Sequence, residues 1–202
     1  MTDDGLSAVL LAGGKSSRMG TNKALLTFPD GMTVIERITA TVRELCSEIL
    51  LITNTPEDYR FLGLPMHRDA IPGASSLGGI YTGLLHATNR RALVLSCDLP
   101  LLKAAVLRHL ASLPFDYDLL VPFIHGRQQP LHAIYASTCL EAIRRQIEAG
   151  DLKIIRLLDS LRGLVVDEHD LAPLDPRLTS FRNINTPEDW AEAQELDQAS
   201  RQ

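Results

Sequence analysis

Residues 7–23, SAVLLAGGKSSRMGTNK, pass from an apolar run directly into a glycine-rich turn crowded with cations. Ser7 to Leu11 reads as a buried first strand, and Gly13, Gly14 and Gly20 punctuate the turn that follows. Glycines allow tight backbone turns and let a ligand approach without a Cβ in the way. Successive N–H groups of such a loop can surround phosphate oxygens, and a following helix N-terminus adds favourable polarity. Lys15, Arg18 and Lys23 place three positive side chains around the same loop, and Ser16 and Ser17 add hydroxyl donors. The segment contains neither GxxxxGK[ST] nor GxGxxG, so it is neither a P-loop nor a dinucleotide-binding fingerprint. The chemistry points to phosphate and leaves hydrolysis, phosphoryl transfer and nucleotidyl transfer open.

Downstream of this loop, strands and helices alternate. Val34, Ile35, Ile38, Val42 and Leu45 recur on one face of a helix over roughly Thr33 to Cys46. Ile49 to Thr53 is a compact apolar strand, and Met66 to Arg68 reads as a shorter one. A helix over Gly79 to Ala87 leads to the strand Ala92 to Ser96, which ends in Cys97, Asp98 and Pro100. Leu102, Val106 and Leu110 mark the next helix, and Leu119 to Ile124 the next strand. This order predicts an α/β fold of three layers with a mostly parallel sheet and a Rossmann-like nucleotide-binding half. In such a sheet, the Gly13–Gly20 loop and Asp98 share the ligand-bearing edge.

The second half is less regular. Leu131 to Tyr135 reads as a strand, Cys139 to Ala149 and Leu152 to Leu158 as helices, and Leu164 to Val166 as a short strand. Phe181 to Ile184 is expected to form the last strand. Pro187 suits the first turn of a closing helix, with Thr186 as its N-cap, and the tail DQASRQ is expected to fray. With 202 residues, the chain is expected to be a single domain over 1–202. Nucleotide-binding features fall mainly in 7–100 and acceptor-binding features mainly in 101–190.

Composition narrows the possible partners. A net charge of −5 offers no broad attraction to nucleic acid or to an anionic membrane. No apolar stretch approaches a membrane-spanning length, and the start is acidic rather than basic, so cytoplasmic residence is expected. Cys46, Cys97 and Cys139 lie too far apart for a CxxC pair and read as buried thiols rather than metal ligands.

Asp98, in SCDLP, places a carboxylate at a strand end, where it can coordinate Mg²⁺ beside a triphosphate; the competing reading is a cap for the next helix. Asp69, in HRDAIPGASSLGGI (67–80), reads on its own as a turn former. Gly78 and Gly79 either admit substrate or bend the chain before a helix. His132 is a candidate phosphate contact, with a solvent-facing strand histidine as the stronger alternative. Gln129, at the preceding turn, is a better polar candidate; Lys153 reads more strongly as a surface lysine, and Asn183 and Asn185 as parts of the local strand exit and helix cap.

LAGGKSSRMGTNK, SCDLP and FRNINTPEDW (181–190) together resemble the nucleotidyltransferases of glycosyltransferase-A-like fold. Within them, they are most similar to the molybdenum cofactor guanylyltransferases, with the cytidylyltransferases as near relatives. The resemblance runs from Val9 through Trp190. It departs from the family pattern at Ser75–Ile80, where the common GPLxGI is altered, and at Trp190, where an aliphatic residue is usual.

The resemblance implies that Gly13, Gly14 and the loop through Gly20 hold a nucleoside triphosphate, with Leu11 and Ala12 bordering the base. Arg18 would meet triphosphate oxygens, Lys23 the phosphate under attack, and Asp69 the base or ribose. Asp98 would hold Mg²⁺, for which Mn²⁺ can substitute. Arg18, Lys23 and Asp98 are thus the expected catalytic set. The implied reaction transfers GMP from GTP to the terminal phosphate of molybdopterin cofactor. CTP-dependent cytidylylation and transfer to another small phosphate stay open. Implied partners are cofactor-biosynthetic proteins and recipient molybdoenzymes.

Overall fold

The computed structural model describes residues 5–13, 22–114 and 116–200. Its centre is β1 (Leu6–Leu11), all six residues of which are buried. Alternate side chains of this strand enter different layers. Ala8 and Leu10 join one apolar cluster, while Val9 and Leu11 join the other on the opposite face of the sheet. A strand buried on both faces reads as a continuous apolar run, which is why SAVLL carries so clear a signal.

On one side, β1 pairs in parallel with β2 (Glu48–Ile52), which pairs in parallel with β3 (Met66–His67). On the other it pairs in parallel with β4 (Arg91–Ser96). Beyond β4 the direction changes. β7 (His132–Ala136) inserts antiparallel between β4 and β5 (Leu119–Ile124). β6 (Arg127–Gln128) folds back on the end of β5, and β8 (Gly163–Asp167) pairs in parallel along the other edge of β5. The sheet is therefore mixed, with the parallel arrangement concentrated in the half that follows the glycine loop.

Helices cover both faces. α1 (Val34–Arg43), α3 (Ala104–Ser112), the single turn α6 (Glu168–Leu171) and α7 (Pro187–Ser200) lie on one side. α2 (Ser75–His86), α4 (Cys139–Glu148) and α5 (Ile154–Ser160) lie on the other. α1 starts where Thr33 and Glu36 form a reciprocal capping box: Thr33 N–H donates to Glu36 Oε2 at 2.7 Å, and Glu36 N–H donates to Thr33 Oγ1 at 3.3 Å. Such a cap is worth about 1 kcal/mol.

α2 begins four residues earlier than expected, and its glycines have a packing role. A Cβ on Gly83 would lie 2.2 Å from Val9 Cγ1, and one on Gly79 would lie 3.2 Å from Leu11 Cδ2. A Cβ on Gly78 would meet that of Ala74 at 2.8 Å. Gly79 and Gly83 let α2 sit directly on β1, while Gly78 makes room for Ala74 and the Ile71 carbonyl in the segment that leads into α2.

Two further expectations are corrected at the C-terminus. Phe181–Ile184 is not a strand: a 3-10 turn over Thr179–Phe181 leads into an irregular segment. Its backbone is held by a different device, the Ile184 N–H donating to the Asp98 carbonyl at 2.9 Å. Of the tail expected to fray, residues 197–200 are helical, and Arg201 and Gln202 lie outside the described residues. Trp190 packs edge-on against Phe28, with ring centroids 4.6 Å apart, and Arg37 bonds Asp197 at 2.6 Å, anchoring α7 on α1. Thr186 caps this helix as expected, its hydroxyl accepting from Asp189 N–H at 3.1 Å.

Candidate active site

Parallel pairing brings the ends of β1, β2, β3 and β4 to one edge. Ala12 N–H donates to Ile52 O at 2.9 Å, Cys97 N–H to Leu11 O at 3.2 Å and Thr53 N–H to His67 O at 2.9 Å. The residues just beyond these bonds are Ala12–Gly13, Asn54, Asp69 and Asp98. Gly13 is exposed, and a Cβ there would meet nothing within 4 Å, so the approach to its backbone is open. Leu11 is buried, with its side chain against Gly79, which leaves its backbone and Ala12 nearer the edge. Gly14, Lys15, Ser16, Ser17, Arg18 and Gly20 lie outside the described residues.

Lys23 emerges from a 3-10 turn, Lys23–Leu25, whose start is held by Asn22. Asn22 Oδ1 accepts from Ala24 N–H at 3.2 Å, while its amide nitrogen donates to the buried Tyr59 hydroxyl at 2.8 Å. Burial raises the Tyr59 pKa to about 12, so this hydroxyl stays protonated. The Lys23 ammonium then reaches across the molecule to Asn185 Oδ1 at 2.9 Å, a bond spanning 162 residues of sequence. Asn22 and Tyr59 escaped the sequence reading; the only available signal was the position of Asn22 immediately before Lys23.

Asp98 is half-buried, and its Oδ1 accepts from Ser96 Oγ at 2.5 Å. Among the described residues, Oδ2 has no hydrogen-bond partner. Asp98 does not cap α3, which starts six residues later with Lys103 at the N-cap position. A carboxylate with one anchored and one available oxygen at a ligand-facing edge suits a hard, oxygen-seeking cation. The described residues contain no group of three or more histidine, cysteine or acidic side chains placed to cage a metal.

Asp69 is tied to the end of β2: its N–H donates to Asn54 Oδ1 at 3.2 Å, and its Oδ2 accepts from Asn54 Nδ2 at 2.8 Å. Arg68 donates to Asn54 O from the same short segment. On the C-terminal side, Asp189 Oδ2 accepts from both Asn185 N–H and Thr186 N–H, at 2.7 and 2.8 Å. The Asn185 hydrogen bond heads the causes that hold the Asp189 carboxyl below its usual range. Asn185 is thereby fixed at its backbone while its side chain meets Lys23.

His132 corrects the sequence reading most sharply. It is 2% exposed, stacked on Phe181 with centroids 4.4 Å apart, and paired across the sheet with Leu95. Burial drives its pKa down to about 3, so the ring is neutral. It is a core histidine beneath the site. Gln129 holds the turn before β7, its N–H donating to Pro122 O, and Lys153 is exposed at the start of α5; neither joins Asp98 and Asn185 through a described contact. Cys97 and Cys139 are buried as expected, whereas Cys46 is half-buried.

Residues 8–164 match the MobA-like NTP transferase domain. The chain belongs to that family. Among similar proteins, the molybdenum cofactor guanylyltransferase of Desulfosudis oleivorans is 35% identical over 199 residues, spanning 98% of each chain. A Carboxydothermus hydrogenoformans protein, named a probable molybdenum cofactor guanylyltransferase, is 39% identical over 92% of this chain and 93% of its own. The crystal structure of molybdopterin-guanine dinucleotide biosynthesis protein A from Archaeoglobus fulgidus superposes with a TM-score of 0.81 at 27% identity, covering 96% of this chain and 99% of that one. The mixed sheet with helices on both faces is thus the architecture of MobA-like nucleotidyltransferases. No helix among the described residues is long and apolar enough to cross a membrane.

Proposed function

We propose that this MobA-like enzyme transfers GMP from GTP to the terminal phosphate of molybdopterin cofactor, forming the guanine dinucleotide cofactor. An oxygen of the acceptor phosphate forms a bond to the α-phosphorus of GTP. The bond from that phosphorus to the bridging oxygen of the β-phosphate breaks, and pyrophosphate leaves with the electron pair. A terminal phosphate is already an anionic nucleophile, so no covalent enzyme intermediate is required. The protein's task is alignment and charge compensation.

One observation carries this reading: the bond from Lys23 to Asn185, beside the backbone bond from Ile184 to Asp98. It joins the end of the glycine loop to the segment FRNINTPEDW at the carboxylate-bearing strand end. The donor's phosphates would lie along Gly13, Gly14 and Arg18, with Leu11 and Ala12 bordering the base and Asp69 near the base or ribose. Lys23 would face the α-phosphate, and Asn183 and Asn185 the acceptor. Asp98 would hold Mg²⁺, or Mn²⁺ in its place, and that ion when bound supplies positive charge to the triphosphate. The donor half (7–100) and the acceptor half (101–190) would act as one domain around the shared sheet edge. The product would pass in the cytoplasm to recipient molybdoenzymes through transient contacts.

Pyrophosphate release with GTP and with CTP, each supplied with molybdopterin cofactor and Mg²⁺, tests the reading. Release selective for GTP supports it. Release selective for CTP transfers the same mechanism to cytidylylation, and release with neither removes the proposed reaction.

A further inference from the structure

Behind the acceptor segment lies a buried carboxylate that the proposed chemistry does not use. Asp175 has no exposed surface. Its Oδ2 accepts from Ser180 N–H at 2.8 Å, and its Oδ1 accepts from the Thr179 hydroxyl at 3.1 Å and from the Lys103 ammonium at 2.8 Å. Lys103 contributes again through its backbone, its N–H donating to Ser180 Oγ at 3.0 Å. The turn wrapped around this carboxylate contains Leu178 at φ +49, a left-handed conformation that branched residues avoid and that surrounding contacts must hold.

The same two stretches meet again at the site. Ile184 N–H bonds Asp98 O, so residues 98–103 and 175–185 are stitched together at both ends. Packing does not back this seam on its outer side. A cavity of about 590 Å³ lies there, lined by Leu101, Lys103, Pro176, Arg177 and Thr179 among others. On the inner side Leu178, Phe181 and Ile184 are buried in the core, so packing holds the segment from within while the polar contacts tie it to residues 98–103. Burial alone would raise the Asp175 pKa, but the Lys103 ammonium and the Ser180 donors outweigh it and hold the carboxyl below its usual range.

We propose that Lys103 and Asp175 are positioning residues, setting the distance between Asp98 and the acceptor-facing segment Arg182–Asn185. This rests on the proposed acceptor role of Asn183 and Asn185. Displacement of that segment would weaken cofactor capture and misalign its phosphate while leaving the GTP site in place.

The Lys103→Met variant removes the charge and keeps the stem of a side chain that is 40% exposed; it leaves the buried Asp175 carboxylate on its Ser180 and Thr179 donors, so its melting temperature is measured beside its kinetics. Asp175→Asn is the more demanding companion. The expected result for Lys103→Met is a rise of about tenfold in KM for molybdopterin cofactor, with KM for GTP within about twofold. Lys103→Arg should recover most of the loss. A fall in melting temperature with both KM values and kcat unchanged would overturn the proposal and leave the pair purely structural. Amide exchange at Ile184 supplies a readout independent of catalysis: Lys103→Met should speed it about tenfold, and unchanged exchange would contradict the proposal. Failure of the wild-type protein to release pyrophosphate would count against the proposed reaction, whereas the exchange result still decides whether the pair positions the segment.

Discussion

The parallel half of the sheet and the mixed half reach the same site by different routes. In the parallel half, β1, β2, β3 and β4 all end at one edge, so Ala12–Gly13, Asn54, Asp69 and Asp98 converge because their strands run in the same direction. In the mixed half, no parallel strand delivers the acceptor segment. Residues 182–186 arrive as irregular backbone, held by Asp98 O, Asp189 and Lys23 through individual hydrogen bonds. Topology organises the first set of residues, and side-chain chemistry organises the second. Losses in the parallel half should therefore appear as lost chemistry or lost packing, and losses around the acceptor segment as graded misplacement.

The largest effect is expected at Asp98. Asp98→Ala should lower kcat on the order of 10³-fold with a much smaller change in GTP affinity, because the carboxylate is proposed to act where charge shifts during transfer. A folded variant with wild-type turnover would remove Asp98 from the mechanism. Packing in the same half is tested at Gly83→Ala, whose added Cβ would approach Val9 Cγ1 at 2.2 Å. Overpacking should outweigh the gain in helix propensity and cost about 1–2 kcal/mol in denaturant unfolding. A stabilised variant would mean that α2 can lift from β1 freely.

His132 gives the mixed half a pH signature. Its pKa is depressed by burial to about 3 in the folded protein, from an ordinary value of 6.5, so the unfolded chain binds the proton more readily between those values. Stability should be intact above pH 6.5 and decline as pH falls toward 3, with a maximum slope of about 1.4 kcal/mol per pH unit from this group. Urea midpoints of the wild type and His132→Phe, compared across that range, should diverge. Parallel pH profiles would show that the ring does not titrate as its burial requires. The smallest effect is expected for Tyr59→Phe, which removes the hydroxyl that accepts from Asn22 and should lower kcat about threefold through Lys23. A loss as large as that of Asp98→Ala would mean that Tyr59 has a more direct role.

The same contrast explains how far the sequence could be read. SAVLL, EILLI and RALVLS declare themselves as strands because burial on both faces makes them continuously apolar. Their parallel order follows from the helices between them, which is why the Gly13–Gly20 loop and Asp98 could be assigned to one edge. The insertion of β7 between β4 and β5 has no local signature. Without it, His132 reads as a solvent-facing strand residue, although Leu95 is its neighbour across the sheet. FRNI failed as a strand for a related reason: its alternating pattern suits pairing, but its backbone bonds to the loop at Asp98 instead. The Lys23–Asn185 bond could not be seen in advance because its partners are 162 residues apart. What local pattern did foretell was the capping of α7, where Thr186, Pro187 and Asp189 carry their own geometry.

The most direct test of GMP transfer at this joint follows the fate of GTP labelled at its α-phosphate, incubated with the enzyme, Mg²⁺ and molybdopterin cofactor. The account predicts that the label enters the cofactor as a guanine dinucleotide while unlabelled pyrophosphate is released in equal amount. Label recovered as free GMP or GDP, at the same rate with and without the cofactor, would contradict it and make the protein a hydrolase.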